Sequence, residues 1–324
     1  MKIRTSCIVA VSLAVIEPGL AQSRDGQPSA TLPLKGLLSS PHHTNATARS
    51  IAKATPAAKI YNFATADYPG AALSIAFDNN ARTTVGAFVL DPAATLANAF
   101  TLKGGVYRIL EVPGATASIA TAINRSNQVV GAYADAAGAV HGFLDVKGVF
   151  SNIDFPGATH TQAIGLNDST QVVGDYIADD TEHGFLYSDG AYTAIDHPDG
   201  LITAATGINS AGDIVGAWLD STGGVHGFLR RGGVFTSIDF PLASATVIWG
   251  INDSGDLAGY YADASAVHGF VFANGAFNTV DVAGASLTLL TRINDKGQVA
   301  GVFLDALSEE HGLTGKPVTH DDDD

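Results

Sequence analysis

The sequence predicts an all-β chain whose six repeats form a closed six-bladed β-propeller with four-stranded blades. Three observations support this prediction. A set of short motifs recurs every 42–45 residues, and each repeat contains four short strand-like runs. The last repeat lacks its fourth run, and a spare copy of that run precedes the first repeat. A period of this length is typical of repeat architectures such as propellers and solenoids.

The composition is that of a chain able to bury a large core. Hydrophobic residues make up 46% of the 324 residues and charged residues only 15%, unlike a disordered chain. The formal net charge of −15 would repel phosphate backbones, so we predict no nucleic-acid partner. An acidic surface confers solubility and by itself identifies no ligand.

The first 21 residues have the layout of a secretion signal. Lys2 and Arg4 precede an apolar stretch at 8–16, and small residues precede a cleavage point after Ala21. A buried N-terminal strand is the alternative. The apolar stretch is too short to span a bilayer, and no later segment is long enough. Cys7 is the only cysteine and lies in the signal, so no disulfide is expected. We predict a secreted or periplasmic protein.

The remaining boundaries follow from composition. Residues 22–58 are rich in Ser, Thr, Ala and Pro, which predicts a disordered linker. The six repeats occupy 59–316, and residues 317–324 form an acidic tail.

An asparagine opens the first turn of each repeat and marks its phase. Seven residues later stands a glycine, and two residues further an aromatic. His-Gly-Phe follows, and then an aromatic with Ile-Asp and often Pro-Gly-Ala. The first repeat departs at Asn98-Ala99-Phe100 and the last at Leu313. The six markers are Asn79, Asn124, Asn167, Asn209, Asn252 and Asn294.

The turns have a physical explanation. Residues 252–255 carry Asn at the first and Gly at the fourth place, as a type I turn prefers. Asn127 can replace that glycine because Asn tolerates positive φ. Residues 155–158 fit a type II turn, with Pro and Gly at its centre. Leu242 stands in the equivalent glycine place and argues against a type II turn there.

The phase of the repeats predicts closure. One repeat cannot cover both faces of its own sheet, so neighbouring repeats must stack. Residues 63–71 align without gaps on 150–158, the fourth run of the second repeat. We therefore expect the N-terminal strand to complete the last blade, which leaves only short, protected edges. A linear β-array or a sandwich is the alternative.

Taken together, three motifs resemble the HAF-repeat family of predicted extracellular repeat proteins. They are the His-Gly-Phe core, the Ile-Asn-x-x-Gly-x-Val-Val-Gly opening and the Asp-x-Pro-Gly-Ala turn, and they cover about 60–313. The resemblance implies secretion and a repeat architecture, and it implies no established activity.

The repeated histidines are predicted to be structural. Each follows an aspartate across a short turn, so we expect His–Asp or His–backbone hydrogen bonds that fix each blade. Separate blades would hold these imidazoles too far apart for one metal ion, and no metal site is predicted. The periodic fourth-strand aspartates are expected to cap turns, with calcium binding as the alternative. The histidines are His141, His183, His226, His268 and His311.

Positions that break the repeat are the candidate ligand-binding residues, because a ligand site need not obey the symmetry. We expect the connections into the first strands to meet at one channel mouth, where charge, imidazole and an indole ring would suit a polar or sugar-like ligand. Ordinary drift of the repeat is the alternative. The candidates are His160, His197, Asp199, Trp249 and Arg292.

The predicted function is noncatalytic binding or scaffolding, with a glycan, a cell-surface component or a protein as partner. The alternative is an extracellular carbohydrate-active hydrolase or lyase with its site at the channel mouth. No catalytic residue can be assigned, because every His and Asp of a possible triad has a repeat explanation. No cofactor is expected, calcium being the one alternative, and no oligomeric state follows from the sequence.

Overall fold

The protein is described by a computed structural model that covers residues 60–91 and 96–318. The predicted signal at 1–21, the linker at 22–58 and residues 319–324 of the predicted tail lie outside the described residues. Every regular element in the described ranges is a β-strand. These ranges therefore contain no helix of the length and apolarity that a membrane crossing requires.

The strands of the described residues form six units of four. Unit 1 comprises β2 (Leu73–Asn79), β3 (Thr83–Val89), β4 (Asn98–Lys103) and β5 (Val106–Ile109). Unit 2 comprises β6 (Ala117–Ile123), β7 (Val129–Ala134), β8 (Val140–Val146) and β9 (Val149–Ile153). Unit 3 comprises β10 (His160–Leu166), β11 (Val172–Ala178), β12 (Thr181–Ser188) and β13 (Ala191–Ile195). Unit 4 comprises β14 (Ile202–Ile208), β15 (Ile214–Leu219), β16 (Val225–Arg231) and β17 (Val234–Ser237). Unit 5 comprises β18 (Ala245–Ile251), β19 (Leu257–Ala262), β20 (Val267–Ala273) and β21 (Ala276–Thr279). Unit 6 comprises β22 (Leu287–Ile293), β23 (Val299–Leu304), β24 (Glu310–Pro317) and β1 (Tyr61–Thr65).

Each unit is an antiparallel sheet that runs from a buried inner strand to an exposed outer one. In unit 2, β6 pairs with β7, β7 with β8, and β8 with β9. β6 is buried along its whole length, whereas β9 is largely exposed. The apolar first strands and the more polar fourth strands of the sequence follow from this gradient.

The N-terminal strand belongs to the last unit, as the offset of the repeats predicted. β1 pairs antiparallel with β24, so that Phe63 lies opposite Gly315. Asp67, just after β1, accepts a hydrogen bond from the Nδ1 side of His311 at 2.9 Å and another from the Gly312 N–H at 2.9 Å. β24 continues to Pro317, beyond the end near residue 313 that the sequence suggested.

The first strands of the six units contact one another in order, and β22 of unit 6 contacts β2 of unit 1. A threonine in every second unit strengthens these contacts through its hydroxyl. The hydroxyls donate to carbonyl oxygens of the following unit: Thr121 to Ala163 at 2.7 Å, Thr206 to Ile248 at 2.7 Å, and Thr291 to Phe77 at 2.8 Å. The last of these bonds joins unit 6 to unit 1.

The periodic glycine of each second strand is required by close packing. A Cβ on Gly131 would lie 2.0 Å from the Ile119 carbonyl oxygen and 2.7 Å from the ring of Phe143. Phe143 is the phenylalanine of a His-Gly-Phe motif, and its ring lies directly over the glycine. The two motifs therefore recur together because one makes room for the other.

Two predicted turn conformations, at Asn127 and at Gly157, are confirmed. Asn127 has φ of 57°, the left-handed value predicted for it. Gly157 has φ of 83°, and the Ala158 N–H donates to the Phe155 carbonyl at 3.1 Å, as in a type II turn.

Leu242 was expected to prevent this turn, and that expectation was wrong. Its φ is 66°, and the Ala243 N–H donates to the Phe240 carbonyl at 3.1 Å. The side chain is fully exposed. The flanking strands fix the two ends of the turn, so the leucine is held in a conformation that suits glycine.

We expect Leu242→Gly to raise the free energy of unfolding by about 1 kcal/mol. A left-handed residue with a Cβ costs roughly 1–2 kcal/mol, and the greater chain entropy of unfolded glycine offsets part of this. Urea unfolding of the two proteins measures the change. Leu242→Ala is the matched control, because it removes the same exposed side chain but keeps the Cβ. A gain for Ala as large as that for Gly would rule out the backbone explanation.

Candidate functional site

The marker asparagine of each repeat joins its own turn to the next unit. Its Oδ1 accepts backbone N–H bonds within the turn, as Asn124 does from Ser126 and Gln128, both at 3.0 Å. Its Nδ2 donates to the backbone carbonyl of the next unit's asparagine at 2.9–3.3 Å. This series, which we call the asparagine belt, runs through Asn80, Asn124, Asn167, Asn209, Asn252 and Asn294.

The belt begins at Asn80 rather than at Asn79, the marker that the sequence spacing suggested. The Asn80 N–H donates to the Thr83 carbonyl across the turn, as the Asn124 N–H does to Gln128, both at 3.1 Å. The first turn of unit 1 is one residue shorter than the others, so the assignment of Asn79 was wrong by one position. Asn79 instead accepts the Nδ2 bond of Asn294, which links unit 6 to unit 1.

The six belt turns surround a cavity of about 650 Å³, which we call the funnel. Arg125 of unit 2 extends across it. Its guanidinium contacts Asp168 of unit 3 at 3.2 Å and also reaches Asp253 of unit 5 and Asp295 of unit 6. One arginine thus joins carboxylates from three other units.

These three carboxylates are fixed by backbone hydrogen bonds before they meet Arg125. Oδ1 of Asp168 accepts the Arg125 N–H at 2.9 Å, Oδ1 of Asp253 accepts the Ser210 N–H at 2.8 Å, and Oδ1 of Asp295 accepts the Asp253 N–H at 2.8 Å. The Oδ2 atom of each faces the Arg125 guanidinium. The arrangement is therefore a pre-organised anionic site with a cationic side chain in it.

The opposite charges in the funnel favour each other's ionised form. The hydrogen bond to Asp295, together with the charges of Asp295 and Asp168, raises the pKa of Arg125. Burial opposes ionisation of Asp253, but hydrogen bonds from Ser210 and the charge of Arg125 hold its pKa below the usual range. The Arg125 side chain is 61% exposed. Exposed ion pairs contribute little stability, so these contacts add little to the free energy of folding.

Arg292 closes the floor of the funnel. Its side chain is only 8% exposed. Nη1 donates to the carbonyl oxygens of Trp249 at 2.5 Å and Thr291 at 2.8 Å, and Nη2 donates to that of Ile164. Nε lies 3.9 Å from Oδ2 of Asp78. The side chain therefore spans the space between units 3, 5 and 6.

Small residues in units 2 to 5 leave the space that Arg292 fills. The positions equivalent to Arg292, just after the bulge of each first strand, hold Asp78, Ala122, Gly165, Gly207 and Gly250. Crowding is severe here, since a Cβ on Gly250 would lie 2.8 Å from the Arg292 Cα.

Asp78 is the buried partner of Arg292. Burial raises the pKa of Asp78 to about 6, although the charge of Arg292 and backbone N–H bonds from Ile123 and Asn79 act in the opposite direction. Burial also lowers the pKa of Arg292, and Asp78 offsets part of that effect. The pair holds the floor together and leaves neither group free to react.

Large apolar side chains fill the ring beneath this floor. Phe77, Ile164 and Trp249 are the bulge residues of units 1, 3 and 5, and all three are buried. Phe77 and Trp249 belong to one central hydrophobic cluster with Ile164. Trp249, a predicted ligand contact, thus packs in the core.

No family model matches the chain, and no curated protein matches its sequence. Solved structures do match it. TolB from Acinetobacter baumannii is 10% identical with a TM-score of 0.53, over 73% of this chain and 64% of TolB. The β-propeller domain of the Trilobed protease from Pyrococcus furiosus is 8% identical with a TM-score of 0.50, over 79% and 86%. AofleA from Arthrobotrys oligospora is 15% identical with a TM-score of 0.50, over 81% and 87%.

The fold is a β-propeller. The present chain spans 64% of the length of the TolB structure that it matches. At these identities the likeness concerns the fold alone, and function has to be argued from the site.

One predicted ligand residue, His197, lies in the packing between propeller units, and Asp199 is exposed beside it. His197 stacks on Trp218, with ring centroids 3.9 Å apart, as Phe155 stacks on Tyr176 at 3.7 Å. Burial lowers the pKa of His197, so the imidazole acts there as a neutral flat ring. The Asp199 N–H donates to its Nδ1 at 3.3 Å.

The five predicted ligand residues do not form one site. His160 begins β10, and His197 and Asp199 lie in the connection into β14, at the end of the first strands away from the belt. Arg292 lies in the funnel floor and Trp249 in the core below it. The funnel is lined by the turns that leave the first strands, whereas the sequence pointed to the connections that enter them.

The repeated histidines hold the third and fourth strands together in units 2 to 6. Each ring stacks on the second-strand aromatic, with centroids 4.7–5.2 Å apart. The Nδ1 bonds are His141–Asp154 at 3.1 Å, His183–Asp196 at 3.1 Å, His226–Asp239 at 3.1 Å, His268–Asp281 at 2.7 Å and His311–Asp67 at 2.9 Å. The fourth-strand aspartates, which were expected to cap turns, are thus the partners of these histidines.

The aspartates across the short turn, which were expected to bond the histidines, lie on the other ring nitrogen. Their oxygens are 3.3–3.7 Å from Nε2 of His141, His226, His268 and His311. Within residues 60–91 and 96–318, Asp305, Glu309 and His311 form one group close enough to hold a metal ion. In this group, Nδ1 of His311 is hydrogen-bonded to Asp67.

Sequence reasoning missed the charged residues at the mouth of the funnel and the buried partner of Arg292. The position after the marker asparagine is an aspartate in three units and an arginine in a fourth: Asp168, Asp253, Asp295 and Arg125. This opposite charge at equivalent positions could have predicted their ion pairs. Asp78 was harder to find, because the shorter first turn of unit 1 moves it out of alignment by one residue.

Proposed function

We propose that this protein is a noncatalytic binding propeller, with six blades closed by β1, that holds a polar ligand in the funnel. The observation that carries the proposal is the set of three pre-organised carboxylates bridged by Arg125 above a sealed floor. We further propose that it is a secreted or periplasmic member of the HAF-repeat family, on the strength of its N-terminal segment and its repeated motifs.

A glycan is the ligand class that the funnel suits best. Each sugar hydroxyl can donate to a carboxylate and accept from a guanidinium or an amide, and all three groups line the funnel. A cavity of about 650 Å³ lies within the range of small-molecule sites and accommodates one or two sugar rings. A cell-surface glycan or the glycan of a partner protein would present such rings.

The same geometry argues against hydrolysis. Glycoside hydrolases need one carboxyl that donates a proton and a second, free carboxylate beside it. The three carboxylates at the mouth are all paired with Arg125. Asp78 has a pKa near the useful range, but its two oxygens accept the Asn79 N–H at 2.7 Å and the Ile123 N–H at 2.9 Å.

A glycan array followed by calorimetry on each hit tests the proposal. We expect Asp253→Asn to weaken binding about 10- to 100-fold, because a hydrogen bond to a charged group contributes about 1.5–3 kcal/mol. Glu309→Gln, which removes an exposed carboxylate outside the funnel, should bind like wild type. Equal affinity of Asp253→Asn and wild type, or the absence of any hit, would refute the proposal. Turnover of a bound polysaccharide would favour the hydrolase or lyase instead.

A further inference from the structure

One face of unit 3 carries polar residues at two facing positions where the other units are apolar. In the strand register, His160 pairs with Ile177 and Ile177 with Glu182, while Gln162 pairs with Asp175. Residues paired across strands, and those two apart along a strand, point to the same side of a sheet. His160, Gln162, Asp175 and Glu182 therefore share one face.

The equivalent positions in the other units build the central core. The position of Gln162 holds Ile75, Ile119, Ala204, Val247 and Leu289, and that of Asp175 holds Ala87, Ala132, Ala217, Tyr260 and Val302. All ten of these residues belong to the central hydrophobic cluster. At these two facing positions the polar residues occur together in unit 3, whereas independent drift at single positions would place them in different units.

The cluster is buried and has unused acceptor atoms. Gln162 is 2% exposed and Asp175 is 3% exposed. Within the described residues, Oε1 of Gln162 and Oδ2 of Asp175 accept no hydrogen bond. Glu182 is also buried, and its charge acts on Asp175. A buried carboxylate is costly unless a positive charge or a proton accompanies it.

The oxygen atoms on this face resemble the donor set of a hard cation. Two carboxylates and a carboxamide lie on one side of the sheet, and Oε1 of Gln162 and Oδ2 of Asp175 are buried without a hydrogen-bond donor among the described residues.

We propose that Asp175, Glu182 and Gln162 bind one calcium ion inside the ring, at the end of unit 3 away from the funnel. Two carboxylates balance the double charge, and oxygen ligands select calcium over the softer transition metals. The site is independent of the funnel and of its proposed ligand, because none of its residues lines that cavity.

The experiment uses the full chain, freed of metal with a chelator and then titrated with calcium chloride alone. Calorimetry should show one site, and the melting temperature should rise with calcium concentration. The test variant is Gln162→Ile/Asp175→Ala, which introduces the residues that unit 2 carries at the same positions. We expect it to lose calcium binding and the thermal shift, while its metal-free form melts no lower than wild type.

Glu310→Val is the matched control. It removes a half-buried acid, at the position in unit 6 that Glu182 occupies in unit 3, and should leave calcium binding unchanged. Asp175→Asn, which keeps the shape of the side chain, is the second variant if the double variant does not fold, and it should bind calcium at least about 10-fold more weakly. Unchanged calcium binding in these variants, or no binding by wild type, would overturn the proposal. Stabilisation of wild type by acid but not by calcium would show that a shared proton occupies the cluster instead.

Discussion

A chain that begins at residue 67 is expected to lose a large part of its stability, whereas a chain that begins at residue 59 should keep it. The shorter chain lacks β1, which pairs with β24 from Leu313 to Pro317. Tyr61 and Phe63 of β1 pack in a cluster with Leu313. Burial of two aromatic side chains contributes roughly 3–6 kcal/mol, and a whole domain is stable by only about 5–15 kcal/mol.

Urea unfolding of the two chains, followed by circular dichroism, measures this difference. The chain from residue 59 is the control, since it lacks the same preceding residues but retains β1. The exposed edge of β24 should also make the shorter chain prone to association, which sedimentation would detect. Equal unfolding midpoints for the two chains would mean that β1 is dispensable and that closure does not depend on it.

The strand order was predictable because it depends on local hydrogen bonds that recur in every repeat. The asparagine that closes a turn, the glycine under the ring of Phe143 and the histidine beside Asp154 each act within one repeat or between neighbours. The offset of the repeats then sufficed to place β1 beside β24.

The site was not predictable in the same way, because its contacts cross the ring. Arg125 meets Asp253 and Asp295 over separations of 128 and 170 residues, and no short motif records such a pairing. Deviation from the repeat was also an imperfect guide. His197 differs in chemistry from Phe155 but fills the same stacked place, so the change has a packing role.

Arg292→Leu is expected to reduce the free energy of unfolding by about 3–5 kcal/mol at pH 8, as removal of one partner of a buried ion pair does. The variant leaves Asp78 without its cation and leaves the carbonyl oxygens of Trp249, Thr291 and Ile164 without their donor. Arg125→Leu, which removes an arginine that is 61% exposed, is the control and should cost no more than about 1 kcal/mol.

The loss in Arg292→Leu should depend on pH with a definite sign. The pKa of Asp78 is about 6 in the folded protein and 3.8 ordinarily, so the folded state holds this proton more tightly. Its contribution to stability is therefore present at low pH and is lost as the pH rises through this interval. Without the charge of Arg292, the pKa of Asp78 in the folded protein rises further. The pH range in which its contribution to stability is lost then extends to higher pH. Urea unfolding at pH 4.5 and pH 8 should give a clearly smaller deficit at pH 4.5, because Asp78 is then protonated in the folded protein. A deficit that is equal at both values would show that the lost carbonyl contacts, and not the unpaired carboxylate, account for the effect.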